Sequence, residues 1–148
     1  MTRKRLAMTL LLLAGLFLVG CDSISAPPDD SAPTLVDRQG DLTVSITPLN
    51  LKAPGETLDF NVGLSSRTTN LNYRMSALAT LTADTGRTVR ATVWTITYPQ
   101  KAGGFHIEGT LGFPAKVDGV SITDGATKLT LTLVNVAVPK RIYIWELK

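Results

Sequence analysis

From Asp41 onward, apolar and polar positions alternate with period two. Leu42, Val44 and Ile46 alternate with Thr43, Ser45 and Thr47. Leu58, Phe60, Val62 and Leu64 alternate with Asp59, Asn61, Gly63 and Ser65. Strict alternation sends one set of side chains into a core and the other into water, as in a half-buried strand. Pro54-Gly55 marks the turn between these two strands. Leu78 to Ala83 reads as a further strand, closed by the turn Asp84-Thr85-Gly86-Arg87, where Gly86 takes a positive φ at little cost. Thr88 to Tyr98 reads as one long strand with Val89, Ala91 and Val93 on one face and Trp94, Ile96 and Tyr98 on the other. After a loop from Pro99 to Gly104, Phe105, Ile107, Leu111 and Phe113 share a face up to Pro114. Leu129, Leu131 and Leu133 alternate with Lys128, Thr130 and Thr132. At the end of the chain, Ile142 and Ile144 face one way and Tyr143, Trp145 and Leu147 the other. Asn70 to Ser76 lacks alternation and is expected to bridge two sheets. The pattern of about seven short strands rich in Thr and Val predicts an all-β fold, an antiparallel immunoglobulin-like β-sandwich. A small closed barrel is the alternative.

Before Asp41 the pattern is different. Arg3, Lys4 and Arg5 precede an apolar run, Leu6 to Gly20, that is shorter than the roughly 20 residues needed to span a bilayer. A charged start, an apolar middle and a small residue before a cut make the plan of a signal peptide. Leu18-Val19-Gly20-Cys21 resembles a bacterial lipobox, with cleavage between Gly20 and Cys21 and lipidation of the Cys21 thiol. This resemblance implies a bacterial lipoprotein with a membrane partner through its lipid anchor, facing the periplasm or the exterior. Two or three acyl chains would hold it stably, because each buried CH₂ contributes about 0.8 kcal/mol. The division expected is 1–20 signal peptide, 21–40 lipidated N-terminus and tether rich in Pro, Ser and Asp, and 41–148 β-sandwich domain. The tether composition buries too little apolar surface to fold by itself.

Charge sharpens this division. The 148-residue chain carries a formal +3 from 15 basic and 12 acidic residues. Removal of Arg3, Lys4 and Arg5 with the leader leaves 12 of each, so the mature chain is neutral. The excess positive charge belongs to the leader and gives no reason to expect nucleic acid. Asp22, Asp29, Asp30 and Asp37 precede the first mature basic residue, Arg38, and the remainder is mildly basic. Ordinary solubilising charge is the first reading of this balance, and an envelope protein or a glycan is the partner class it leaves open. A single cysteine excludes an internal disulfide.

The residue inventory offers little chemistry. Nucleophilic catalysis needs a base near the nucleophile, and His106 is the only histidine. No Gly-x-Ser-x-Gly elbow exists, and no cluster of Cys and His meets the needs of zinc or copper. No catalytic residue, metal ligand or cofactor is therefore expected, and a non-enzymatic binding or structural module is the first reading. The alternative is a periplasmic metal- or small-ligand-binding protein using the His106 region. Trp94 and Tyr98 on one strand, with His106 and Glu108 on the next, are expected to form a surface for a sugar or peptide if the strands pair. An ordinary cross-strand pair is the competing reading.

Several stretches carry a resemblance over nearly the whole domain: Leu71-Asn72-Tyr73, Trp94, Gly103-Gly104-Phe105-His106, Phe113-Pro114 and Arg141-Ile142-Tyr143-Ile144-Trp145-Glu146-Leu147. They resemble a family of small uncharacterised exported bacterial β-sandwich domains. Its pattern has a strand ending in Thr-His-Ser, a Leu-Asp-Tyr segment, a Gly-Gly-His-His turn and a closing Arg-x-aromatic-x-Trp-Glu-Leu. Where that pattern has histidines and an aspartate, this chain has Arg67 or a neighbour, Asn72 and Phe105, and only His106 remains. The resemblance implies the sandwich fold and a lost or altered polar site, and no established activity.

Overall fold

Leu42, Val44 and Ile46 are buried on one side of a strand, and Leu58, Phe60, Val62 and Leu64 lie beside them on the next. The computed structural model describes residues 32–100 and 105–147. Within them the elements are β1 (Leu35–Gln39), β2 (Leu42–Pro48), β3 (Thr57–Ser66), α1 (Met75–Leu78), β4 (Ala79–Ala83), β5 (Thr88–Arg90), β6 (Val93–Tyr98), β7 (His106–Pro114), β8 (Lys116–Val117), β9 (Val120–Ser121), β10 (Lys128–Val136) and β11 (Val138–Glu146). One sheet runs β1-β2-β3-β7-β6, a second runs β11-β10-β4-β5, and β8-β9 is a small hairpin. Every pairing is antiparallel.

Set aside β1 and the β8-β9 hairpin, and the two orders become A-B-E-D and G-F-C-C′, the immunoglobulin-like arrangement. The β3–β4 connection, residues 67–78, carries the chain from one sheet to the other through the single turn of α1. The inward faces meet in one apolar core. Phe60 packs edge-on to Phe113 with centroids 5.5 Å apart and tilted against Trp145 at 5.4 Å.

The structure has more strands than the alternation predicts, and two differences matter. Thr88 to Tyr98 is not one strand. Ala91 N–H donates to Ala79 O in the second sheet, and Thr92 N–H donates to Gly112 O in the first. The chain therefore changes sheets between these residues, which explains why the segment shows two apolar faces.

The second difference is the tether boundary. Leu35–Gln39, assigned above to the tether, is β1 and pairs with β2 from Leu35↔Ile46 to Gln39↔Leu42. Gly40, at φ 59°, and Asp41 form the two-residue turn between them. Glycine first in such a turn has the twist that a hairpin needs. The folded domain thus begins before Asp41.

The closing motif explains the attachment of β1. Arg141, Tyr143 and Trp145 point inward from β11, while Ile142 and Ile144 are half exposed. The Trp145 indole N–H donates to Pro33 O at 2.9 Å. The Arg141 guanidinium, 1% exposed, donates through Nε to Val136 O, through Nη1 to Asp37 and through Nη2 to Gln39 O and Leu42 O. One buried cation thereby grips both ends of the β1–β2 turn from the opposite sheet.

Candidate functional site

The outward face of the five-stranded sheet carries the polar set of the alternation. Thr43 lies opposite Ser65, and Ser65 opposite His106, across β2, β3 and β7. In the next row, Ser45 lies opposite Gly63, Gly63 opposite Glu108, and Glu108 opposite Tyr98 on β6. Directly opposed residues point to the same side of a sheet. His106 is therefore flanked by Ser65 beside it and by Glu108 two residues along its own strand.

The side chains join. Ser65 Oγ lies 2.6 Å from His106 Nδ1, and His106 Nε2 lies 2.7 Å from Glu108 Oε1. An ionised carboxylate only accepts, so with a neutral ring Nε2 carries the hydrogen and Nδ1 accepts from the Ser65 hydroxyl. The imidazole lies over Gly63, where an added Cβ would stand 3.5 Å from Cε1 and 2.6 Å from Ser45 Oγ. An alanine there would push on the Ser45 hydroxyl and only touch the ring. Tyr98 leans against the imidazole with centroids 6.0 Å apart. The His106 and Glu108 side chains are 40% and 43% exposed, so the chain of hydrogen bonds is accessible from solvent.

Ser65 also forms part of the wall of a shallow open cleft of about 290 Å³, lined by Asp41, Thr43, Ser65, Ser66, Arg67 and Phe105. The β1–β2 turn supplies Asp41 on one side, and the end of β3 supplies Arg67 on the other. Ser66 Oγ accepts from Thr68 N–H at 3.2 Å and Thr69 N–H at 2.9 Å, which turns the chain sharply after β3. Ser66 N–H donates to Phe105 O. Among the described residues the Arg67 guanidinium has no ion-pair or hydrogen-bond partner, and the Phe105 ring is half exposed.

The expected surface of Trp94, Tyr98, His106 and Glu108 is therefore only partly assembled. Tyr98, His106 and Glu108 meet on the outer face. Trp94 lies opposite the buried Leu111 and points inward, its ring across Gly109. A bulge between Ile96 and Tyr98 shifts the register by one residue and turns Tyr98 to the side opposite Trp94. Ser65 takes the place expected of Trp94. Its spacing on β3 marked it as solvent-facing, but only the β3–β7 register reveals its neighbour. Asn72, the other position singled out by resemblance, is exposed and outside the cleft lining, whereas Arg67 and Phe105 line it. Cys21 and Gly20 lie outside the described residues. Among the described residues no three His, Cys, Asp or Glu side chains converge as a metal site would need.

No family model matches the chain, and no curated protein matches it. Among solved structures it is similar to a DUF4426 family protein from Pseudomonas aeruginosa PAO1, with 15% identity and a TM-score of 0.43, covering 76% of this chain and 94% of that one.

Proposed function

We propose that this chain is a lipid-anchored protein of the cell envelope, held by acyl chains on Cys21, whose β-sandwich is a binding module with its ligand site in the cleft beside Ser65 and His106. The observation that carries the binding reading is the continuity of cleft and side-chain network. A depression with an exposed aromatic ring and a guanidinium that has no partner among the described residues borders hydroxyl, imidazole and carboxylate groups already held in one line. A few convergent polar groups beside an apolar surface are what a small polar ligand needs. The anchor is supported by the lipobox-like Leu18-Val19-Gly20-Cys21.

Thermal unfolding of the full chain in detergent, against panels of common sugars and divalent cations, tests the binding reading. A ligand that binds the native state stabilises it, by about 2.7 kcal/mol at a hundredfold excess over Kd. The expected result is a rise in Tm with one panel member that is lost in Arg67→Ala or His106→Ala. No shift with any member counts against it. For the anchor, a palmitate analogue labels wild type but not Cys21→Ala; equal labelling overturns it.

A further inference from the structure

We propose that Ser65 is a nucleophile, activated by His106 and Glu108, that cleaves a small carboxylic ester held in the cleft. This goes beyond binding. Serine is a weak nucleophile unless a base takes its proton. Here the base is in place, 2.6 Å from Oγ, and its far nitrogen is held by a carboxylate at 2.7 Å. In the neutral ring only one tautomer satisfies both contacts. It presents the Nδ1 lone pair to the Ser65 hydrogen and leaves the lone pairs of Oγ for the cleft.

The three residues stand on adjacent paired strands, so sheet register fixes their separation, and sites built on such elements are held more tightly than sites on loops. At Gly63 an added Cβ would reach only ordinary contact with the imidazole, 3.5 Å from Cε1, and would clash with Ser45 Oγ at 2.6 Å.

Charge on the reacting oxygen needs a donor. The nearby backbone N–H groups of Ser66, Thr68 and Thr69 are committed, to Phe105 O and Ser66 Oγ. Arg67, two residues beyond Ser65 and lining the same cleft, has no hydrogen-bond or ion-pair partner among the described residues. It is the group that meets the oxyanion, while the Phe105 ring gives the apolar part of the ester a surface.

The steps balance. Oγ attacks the ester carbonyl carbon, and its proton passes to Nδ1. The tetrahedral intermediate collapses, the carbon–oxygen bond to the leaving group breaks, and the imidazolium proton goes to the departing alkoxide, which leaves as an alcohol. Water then attacks acyl-Ser65 and gives a proton to Nδ1. The acyl bond breaks, the carboxylic acid departs, and Oγ regains its proton. Glu108 is a positioning residue that holds the tautomer throughout.

The full chain in detergent, treated with a biotin-linked fluorophosphonate, tests this directly. Attack by Oγ forms a phosphorus–oxygen bond and expels fluoride, and peptide mass spectrometry locates the adduct. The expected result is an adduct on Ser65, absent in Ser65→Ala, with a labelling rate at least about 100-fold lower in His106→Gln. Glu108→Gln, whose amide can donate to Nε2, slows labelling without lowering Tm and turns the imidazole toward the other tautomer in ¹⁵N spectra. No adduct on wild-type Ser65, or one formed equally fast in a folded His106→Gln chain, overturns the proposal. A ligand-induced Tm shift without labelling leaves binding standing and removes the nucleophile.

Discussion

Arg141 Nη1 lies 3.1 Å from Asp37 Oδ2, joining residues 104 apart in sequence across the open side of the sandwich. The Arg141 side chain is fully buried, and the Asp37 side chain is 19% exposed. Loss of one partner from a buried pair costs about 3–5 kcal/mol, because the other charge is left uncompensated. Arg141→Ala also strips donors from Val136 O, Gln39 O and Leu42 O. Urea unfolding is expected to show a loss of that size. Arg141→Ala and Asp37→Ala combined are expected to cost less than the sum of the two, as coupled sites do. Strict additivity would show that the pair does not act as one clamp.

Tyr143 sits beside this pair, and its buried hydroxyl lies near the Arg141 guanidinium but makes no hydrogen bond of good geometry among the described residues. An unsatisfied buried hydroxyl carries a desolvation penalty of about 1–3 kcal/mol. Tyr143→Phe is therefore expected to leave stability unchanged or raise it. Burial, and next the Asp37 carboxylate, hold the Tyr143 hydroxyl well above its ordinary 10.0. The folded chain thus keeps a proton that the unfolded chain releases. Stability from this group is full below pH 10.0 and falls as pH rises beyond it. Melting curves between pH 8 and about 11 should show a shallower decline for Tyr143→Phe than for wild type.

Asp84 gives the opposite sign. Its carboxylate accepts from Thr127 Oγ1 at 2.6 Å and from Thr127 N–H, tying the β4–β5 turn to the start of β10. The Thr127 hydroxyl holds its pKa below the ordinary 3.8. Its contribution is present above pH 3.8 and is lost as pH falls through the lower folded value. Asp84→Asn should flatten the acid limb of a stability–pH curve below pH 3.8. An unchanged limb would count against the contact.

Gly109 sets the edge of the first sheet. A Cβ there would meet Trp94 ring carbons at 2.5 and 2.6 Å and Thr95 O at 2.7 Å. The carbonyl cannot rotate away as a side chain can. Gly109→Ala is expected to lift β6, to cost about 1–3 kcal/mol as overpacking does, and to make Trp94 fluorescence easier to quench with acrylamide. Trp145, 2% exposed, should be unaffected.

How much of this was legible follows from where each signal resides. Burial of Leu42, Val44 and Ile46 is written in local alternation, whereas in β11 both faces are apolar and only the fold decides that Tyr143 and Trp145 go inward while Ile142 and Ile144 stay half exposed. The β1 strand was legible in part, since Gly40-Asp41 is a hairpin turn, but Pro33 and the acidic Asp37 obscured it. Asp37 is tolerated in a strand because Arg141, far away in sequence, neutralises it. The sheet change at Ala91 and Thr92 and the bulge before Tyr98 are decided by partners in β4 and β7. No spacing within 88–98 announces them, so the alternation alone places Trp94 and Tyr98 on one face. Ser65 was hidden for the same reason: its meaning depends on His106, 41 residues away.

The clamp at Arg141 also has a mechanical consequence. Tension arriving along the chain from its N-terminal side meets the folded domain first at Pro33 and the start of β1, held by Trp145 and then by β2. Pulled from that end, the β1–β2 hairpin opens one backbone pair at a time, which resists little. The Arg141 contacts to Asp37 and Gln39 stand partway along this peeling route. They set the force at which β1 detaches, and with it how hard the domain can be pulled from that end before the Asp41 wall of the cleft moves.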